Sequence, residues 1–350
     1  MDSYAELSWE RRVATERVRP NPSIERTSQR PLRALWSTAH VERSAKQYTQ
    51  SLMKKLLLVT LLFGLFSSSA IRAQEPPKFT HTEDVIYGRK FGTALTLDVF
   101  EPAKKNGAAV LWMVSGGFFS DHSNIKPGLF TPLLERGYTV FAVVHGSQPR
   151  FIIPEIEEDI HRAVRFVRHN ASRWGINPNK FGISGASAGG HLSLTMGTQG
   201  GPGKPDAKDV IDRESSAVQA VACFYPPTDF LNWSKPGEDW MDFEPTRKFE
   251  PAFGPKGMPR EARQELGKKI SPIIFVTENM PPTLVIHGDA DKVVPLYQSQ
   301  LFEQKCKEVG APFKLIVKPG AGHAYPGWQN DLAVCADWFD EHLLGIKAKD

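Results

Sequence analysis

An α/β fold, with an open and mostly parallel central sheet covered by helices on both faces, is what this sequence predicts, and three observations predict it. Strand-like and helix-like stretches alternate regularly from residue 79 onward. Residues 109–114, 138–144 and 218–225 are unbroken or nearly unbroken apolar runs, as expected of strands buried on both sides. The stretch opened by Pro154 sets Ile156, Ile160, Ala163, Val164 and Val167 on one face at helical spacing, which gives it a side to lay on a sheet.

Taken in order, residues 83–87 and 94–100 alternate apolar with polar side chains and read as edge or half-exposed strands. Residues 109–114 run into a Gly-rich loop, Ser115-Gly116-Gly117. Residues 129–136 form a short helix stopped by Gly137, and residues 138–144 the fourth strand. The long helix carries Glu157, Glu158, Arg162, Arg165 and Arg168 off its apolar stripe, so its paired carboxylates are expected to face solvent; Gly175 and Pro178 end it. Residues 181–184 are a strand that enters the turn Gly185-Ala186-Ser187-Ala188-Gly189, followed by a helix from Gly190-His191-Leu192 and a loop rich in Gly and Pro at 200–205. Residues 283–287 and 313–317 complete the strands, and residues 328–344 read as the closing helix.

Residues 226–282 break this rhythm with Phe230, Trp233, Trp240, Phe243 and Phe249, several prolines and one helix near 260–269. The insertion is expected to cap the carboxyl edge of the sheet, where ligands of such sheets bind, with its aromatics packing it onto the body. Residues 74–350 are then one domain, with no internal repeat.

The first 52 residues differ: nine Lys/Arg, six Asp/Glu, little apolar periodicity and three helix-breaking prolines predict no stable fold. Met53-Lys54-Lys55, an apolar run over 56–66 and the small residues that follow have the three regions of a secretory signal peptide over 53–73, with cleavage after Ala70 or Ala73. That placement makes Met53 the expected initiator and residues 1–52 a non-native or disordered extension; the alternative reading is a buried or anchoring helix behind a real N-terminal extension. The apolar run is too short to span a bilayer, so no stable membrane anchor is expected after cleavage. Taking the 12 Lys/Arg and 6 Asp/Glu of residues 1–73 from the 43 and 39 of the whole chain leaves 31 and 33, a net charge of −2. The basic balance therefore belongs to the leader, and nothing points to a nucleic-acid partner. Cys223, Cys306 and Cys335 lack C-x-x-C spacing and are expected as buried thiols; were one disulfide to form, Cys306 and Cys335 on the last two helices would make it.

Loops at the carboxyl ends of three expected strands carry chemistry. They hold Ser187; then Asp291, in His287-Gly288-Asp289-Ala290-Asp291-Lys292-Val293-Val294-Pro295; then His323, in Gly320-Ala321-Gly322-His323-Ala324. Acyl transfer needs a hydroxyl to attack, an imidazole to take and return its proton, and a carboxylate to hold that imidazole's tautomer. Asp289 competes with Asp291 but reads as a turn cap. The Asp-x-Asp pair is not a calcium loop, because Lys292-Val293-Val294 supplies neither oxygen ligands nor the Gly; no metal and no cofactor is called for. His191 and His287 read as buried structural residues, and His145 has no visible partner. Glu157 and Glu158 are not a glycosidase dyad.

With serine, acid and histidine in that chain order, residues 79–344 resemble the α/β-hydrolase superfamily. The run Asp159-x-x-Arg162-Ala163-Val164-Arg165-Phe166, with the turn around Ser187 and Gly190-His191-Leu192, is similar to its hormone-sensitive-lipase-like and bifunctional feruloyl/acetylxylan esterase (BD-FAE) branches. The resemblance implies an α/β-hydrolase fold and a secreted or periplasmic serine esterase acting on short acyl or acetyl esters, including those of polysaccharides. It implies Ser187 as nucleophile, His323 as general base and Asp291 as the acid of an H-G-x-x-D-x-x-V-P pattern. The oxyanion amides would come from Ala188 and from Gly117 and Phe118, where the family usually writes H-G-G-G and this chain has Ser115-Gly116-Gly117-Phe118; Phe118 is then expected to narrow the acyl pocket. Two other readings remain open at this point: a prolyl-oligopeptidase-like peptidase, and a catalytically inactive binding module. No oligomeric state follows from the sequence.

Overall fold

A computed structural model describes residues 79–347; the leader and signal-peptide expectations for 1–73 lie outside the described residues. Eight strands form one sheet: β1 Phe79–Lys90, β2 Thr93–Pro102, β3 Ala109–Val114, β4 Thr139–Val144, β5 Phe181–Gly185, β6 Ala220–Phe224, β7 Thr283–Gly288 and β8 Phe313–Lys318. Their spatial order is β1-β2-β4-β3-β5-β6-β7-β8. β1 and β2 are an antiparallel hairpin on the edge, β2 also runs antiparallel to β4, and every pair from β4 through β8 is parallel. The sheet is therefore mostly parallel, and the topology is that of an α/β-hydrolase.

Strand alternation divides the core in two. Leu111, Met113, Phe141, Val143, Val221 and Cys223 face one side, with the stripe Ile156, Ile160, Ala163, Val164 and Val167 of helix α2 (Ile153–His169). Helix α3 (Ala188–Gln199) and helix α5 (Tyr297–Val309) contribute Leu192, Met196, Phe302 and Cys306 to the same layer. Val110, Trp112, Val140, Ala142, Ala222 and Phe224 face the other side, against the single turn α1 (Thr131–Leu134) and helix α6 (Leu332–Phe339). Phe230, Trp233, Trp240 and Phe253 of the 226–282 segment, with Ile270 of α4 (Arg260–Ile270), join the first core. Trp240 stacks on Phe253 with centroids 3.4 Å apart. Among the described residues, no helix is long and apolar enough to cross a membrane.

Three expectations are corrected. The helix over 129–136 is a 3₁₀ turn, Pro127–Phe130, followed by the single α-turn of α1, with Pro at the start of each. Pro132 has no N–H to give the carbonyls of the preceding turn, so the 3₁₀ turn and α1 do not run together as one regular helix. The closing segment is divided into a 3₁₀ turn at Trp328–Asp331, α6, and a π-turn at Asp340–Leu344. Glu157 does not face solvent: it is buried, with Oε1 3.3 Å from Nε2 of the fully buried His191, whereas Glu158 is exposed. The cysteines are as expected: all three are free and buried, and the alternative pair, Cys306 and Cys335, lies in the cores on opposite sides of the sheet and cannot form.

Candidate active site

β5, β7 and β8 run parallel, so the loops that leave their carboxyl ends emerge on one edge of the sheet. Ser187 sits between the end of β5 and the first residue of α3, with φ 57° and ψ −118°. A non-glycine residue in this region costs about 1–3 kcal/mol, which the surrounding structure must hold in place. Here Ser187 N donates to Phe224 O at 3.0 Å and Ser187 O accepts from His191 N at 2.9 Å. The glycines of the turn are required by contact. A Cβ on Gly185 would lie 2.5 Å from the carbonyl carbon and oxygen of Gly189, and one on Gly189 would lie 2.5 Å from Met113 O in β3. Strand, turn and helix are packed backbone to backbone, and the serine is the residue left projecting.

His323 Nε2 stands 3.0 Å from Ser187 Oγ, and His323 Nδ1 stands 2.7 Å from Asp291 Oδ2. Asp291 Oδ1 accepts from the backbone N–H of Val293 at 2.8 Å and of Val294 at 3.0 Å. The Asp291 side chain is fully buried, and that burial alone would raise its pKa. Hydrogen bonds from His287 and His323, the charge of His323 and the Val293 N–H outweigh it and hold the carboxyl well below the usual Asp range. His287 is buried, with Nδ1 2.7 Å from Ser299 Oγ and Nε2 2.8 Å from Val294 O, so it fastens the acid's loop rather than reaching the serine. Asp289 Oδ1 accepts from Gly320 N at 2.7 Å and caps the loop that leads to His323.

Three backbone N–H groups near Ser187 donate to no acceptor among the described residues: those of Gly117, Phe118 and Ala188. In each case the carbonyl of the same peptide unit is pinned, and in a trans peptide N–H and C=O point in opposite directions. Ser187 O accepts from His191 N, which aims the Ala188 N–H; Gly116 O accepts from Phe119 N at 3.0 Å, which aims that of Gly117. Gly117 O accepts from Gln148 Nε2 at 2.6 Å, which aims the Phe118 N–H. The Gln148 backbone N–H in turn donates to Phe118 O at 3.2 Å. Gly117 and Phe118 both have positive φ, 55° and 64°. The Ala188 amide also opens a helix, where the partial positive charge favours an anion.

Next to Ser187 lies a cavity of about 30 Å³, lined by the amide-bearing residues Gly117, Phe118 and Ala188 and by the aromatic rings of Phe230, Trp233, Phe249 and Phe253. Phe118 is buried edge-on against His191 and Phe253. The Tyr225 ring, at the end of β6, lies 4.6 Å from that of His323. His145 is buried beyond the loop with Nδ1 2.8 Å from Gly146 O, and burial, with a smaller effect from Lys90, pushes it down to about 4. His191 sits behind Phe118 against Glu157, whose pKa burial raises while His191 opposes the rise.

All six sequence-derived site residues therefore meet at one place. Three others had no usable signature in the sequence: Gln148, which follows β4; Tyr225, whose only trace was an aromatic at a strand end; and Phe249, one ring among several in the insertion. A separate imidazole–carboxylate group, His81, Glu83 and Asp98, lies on the edge hairpin, where His81 Nε2 and Asp98 Oδ2 already pair at 2.8 Å.

Residues 97–306 match the BD-FAE family model. Esterase LipC of Mycobacterium tuberculosis is 29% identical over 256 residues, covering 71% of this chain and 60% of that protein. An acetylxylan esterase of Xylanibacter ruminicola is 38% identical over 105 residues, 28% of this chain and 21% of that protein. Among solved structures, a truncated form of carbohydrate esterase from gut microbiota superposes with a TM-score of 0.65 at 29% identity, covering 76% of this chain and 98% of that one. An acetyl ester-xyloside bifunctional hydrolase from Caldicellulosiruptor lactoaceticus, at 22% identity and TM-score 0.62 over 76% of this chain and 97% of that one, shares the fold. The chain spans 57–60% of the length of the first three curated relatives it matches.

Proposed function

The chain belongs to the BD-FAE family, and from that premise we propose that it is an exported serine esterase that removes short acyl groups, acetyl foremost, from alcohol oxygens such as those of a polysaccharide. One observation carries the reading: the continuous chain of contacts from Ser187 Oγ through the two nitrogens of His323 to Asp291 Oδ2.

The reaction follows from that geometry. Ser187 Oγ attacks the ester carbonyl carbon while His323 Nε2 takes its proton, and Asp291 keeps Nδ1 protonated so that Nε2 is free to accept. The carbonyl π pair moves onto oxygen, and the N–H groups of Gly117, Phe118 and Ala188 receive that oxyanion, with about 2.7–4 kcal/mol of transition-state stabilisation lost per donor removed. Collapse breaks the bond to the alcohol oxygen, which leaves with the proton returned by His323. Water then repeats the sequence on the acyl-enzyme and releases the carboxylic acid.

Support for a short acyl group comes from the small cavity beside Ser187. Support for a carbohydrate alcohol comes from the relatives described as acetylxylan and carbohydrate esterases, and support for export comes from the pattern over 53–73. The test is Ser187→Ala assayed on p-nitrophenyl acetate and on acetylated xylan, with circular dichroism alongside. Turnover is expected to fall by at least about 10⁴-fold in a folded variant, in line with losses when triad members are removed. Undiminished release of p-nitrophenol and acetate would overturn the reading.

A further inference from the structure

We propose that Phe249, carried by the insertion, is the gate that sets the acyl length accepted at Ser187, closing the acyl subsite at about two carbons. This rests on the esterase reading and assigns a specificity-determining residue within it.

The argument starts from the three substituents of a carbonyl carbon bonded to Ser187 Oγ. Its oxygen must point to the N–H groups of Gly117, Phe118 and Ala188, and the departing alcohol oxygen must face His323 Nε2 to collect a proton. The acyl chain takes the remaining direction. The cavity beside Ser187 is lined by the three amide-bearing residues and by Val293 and Val294, but not by His323. It is therefore on the acyl side of the nucleophile rather than the alcohol side.

Its size limits what enters. The volume of about 30 Å³ is room for about two waters, each needing roughly 10–15 Å³ of such space. A methyl group fits beyond the carbonyl; a butyryl chain does not without moving a wall. Most of the aromatic walls are fixed. Phe230, Trp233 and Phe253 are buried, Phe230 packs against both of the others, and Phe253 stacks on Trp240.

Phe249 is the exception. It is half-buried on the 3₁₀ segment Glu244–Ala252, and its ring lies over Gly117 so closely that a Cβ there would come within 2.3 Å of Phe249 Cε1. Gly117 thus serves two ends: it takes the positive φ that presents its amide, and it leaves room for the ring that closes the cavity. Removing the ring opens the cavity on its solvent side, where a longer chain can extend without disturbing the buried walls.

The experiment compares the full chain with Phe249→Ala and Phe249→Trp on p-nitrophenyl acetate, butyrate and octanoate, reading the ratio of kcat/KM values between chain lengths. Excluding even one methylene from a fitted apolar pocket is worth about 10–200-fold. The wild type is expected to favour acetate over butyrate by at least about 10-fold, and Phe249→Ala to shift that ratio toward butyrate by at least about 10-fold. Phe249→Trp is expected to keep or sharpen the acetate preference, and serves if the alanine variant folds poorly. A wild type that cleaves octanoate as efficiently as acetate, or a folded Phe249→Ala with an unchanged ratio, overturns the gate while leaving the esterase reading intact. Absence of turnover on every ester, together with no labelling of Ser187 by a fluorophosphonate, overturns the esterase reading and the gate with it.

Discussion

Replacing Gln148 by Leu tests how the oxyanion amides are aimed. The substitution keeps the side chain's approximate bulk and the backbone bond to Phe118 O, but removes the Nε2 donor that meets Gly117 O at 2.6 Å. Because Gly117 C=O and Phe118 N–H share one peptide plane, loss of that donor frees the plane to tilt and turns the Phe118 amide away from the oxyanion. The ceiling on the effect is complete loss of one donor, about 2.7–4 kcal/mol or 10²–10³ in kcat. The floor is set by the packing of Phe118 against His191 and Phe253, which restrains the loop even without Gln148. We expect kcat on p-nitrophenyl acetate to fall by about 10–10³-fold, with KM changed less than about threefold. The carbonyl left without its partner costs about 1–3 kcal/mol of stability. Steady-state kinetics well below the unfolding temperature, with circular dichroism as a control, makes the check. An unchanged kcat, or a rise in KM at constant kcat, would mean that Gln148 does not aim the amide, since an interaction made only in the transition state appears in kcat.

Three further outcomes follow from the same geometry. Asp291→Asn is expected to lower kcat by about 10⁴-fold, as when a triad carboxylate becomes an amide and the histidine tautomer is lost. Since the folded pKa of Asp291 lies below that of a free Asp, about 3.9, its stabilising contribution is complete above that pH and declines as pH falls toward the folded value. Thermal unfolding at pH 5 and pH 3 should therefore show a narrower gap between wild type and this variant at pH 3; a gap that stays constant or widens would refute the assignment. Gly189→Ala drives a Cβ to 2.5 Å from Met113 O, and a central strand cannot yield, whereas Gly116→Ala meets nothing within 4 Å. The first should cost about 1–3 kcal/mol or more and lower the Tm, and the second should leave the Tm within a degree or so; equal Tm values would show that the turn is looser than described.

The parts legible in the sequence were those fixed by local rules. Period-two alternation in 94–100, unbroken apolar runs in β3, β4 and β6, and a helical stripe from Ile156 to Val167 each report directly on burial, so the sheet and its layers could be read. Ser187, Asp291 and His323 could be read because their chemistry restricts residue type and their place at strand ends restricts position. Glu157 could not. Its sequence neighbours look like a solvated helix face, and its burial depends on His191, which arrives from another helix 34 positions away. Gln148 and Phe249 were hidden for the same reason. A glutamine after a strand and a phenylalanine in an insertion carry no signal until the fold brings each onto Gly117. The closing segment failed as one helix because hydrophobic periodicity cannot separate an α-turn from the π-turn at 340–344.

The oxyanion loop shows why departures from a family pattern need not disturb chemistry. Phe118 occupies the place of a glycine with φ 64°, a conformation that costs a non-glycine residue about 1–3 kcal/mol. Full burial of a phenylalanine side chain contributes about 1.5–3 kcal/mol, and Phe118 is buried among His191 and Phe253. The two effects are of the same size, so Phe118 gains the fold little stability; what it supplies is a wall of the acyl cavity. Ser115, in the place of a histidine, keeps a buried hydroxyl that meets no partner among the described residues, so it does not brace the loop through its side chain. Gln148 braces the loop, its side chain holding Gly117 O and its backbone N–H holding Phe118 O. The Phe118 amide keeps its direction because the carbonyl behind it, Gly117 O, is held by Gln148, which lies on a different loop from Ser115-Gly116-Gly117-Phe118.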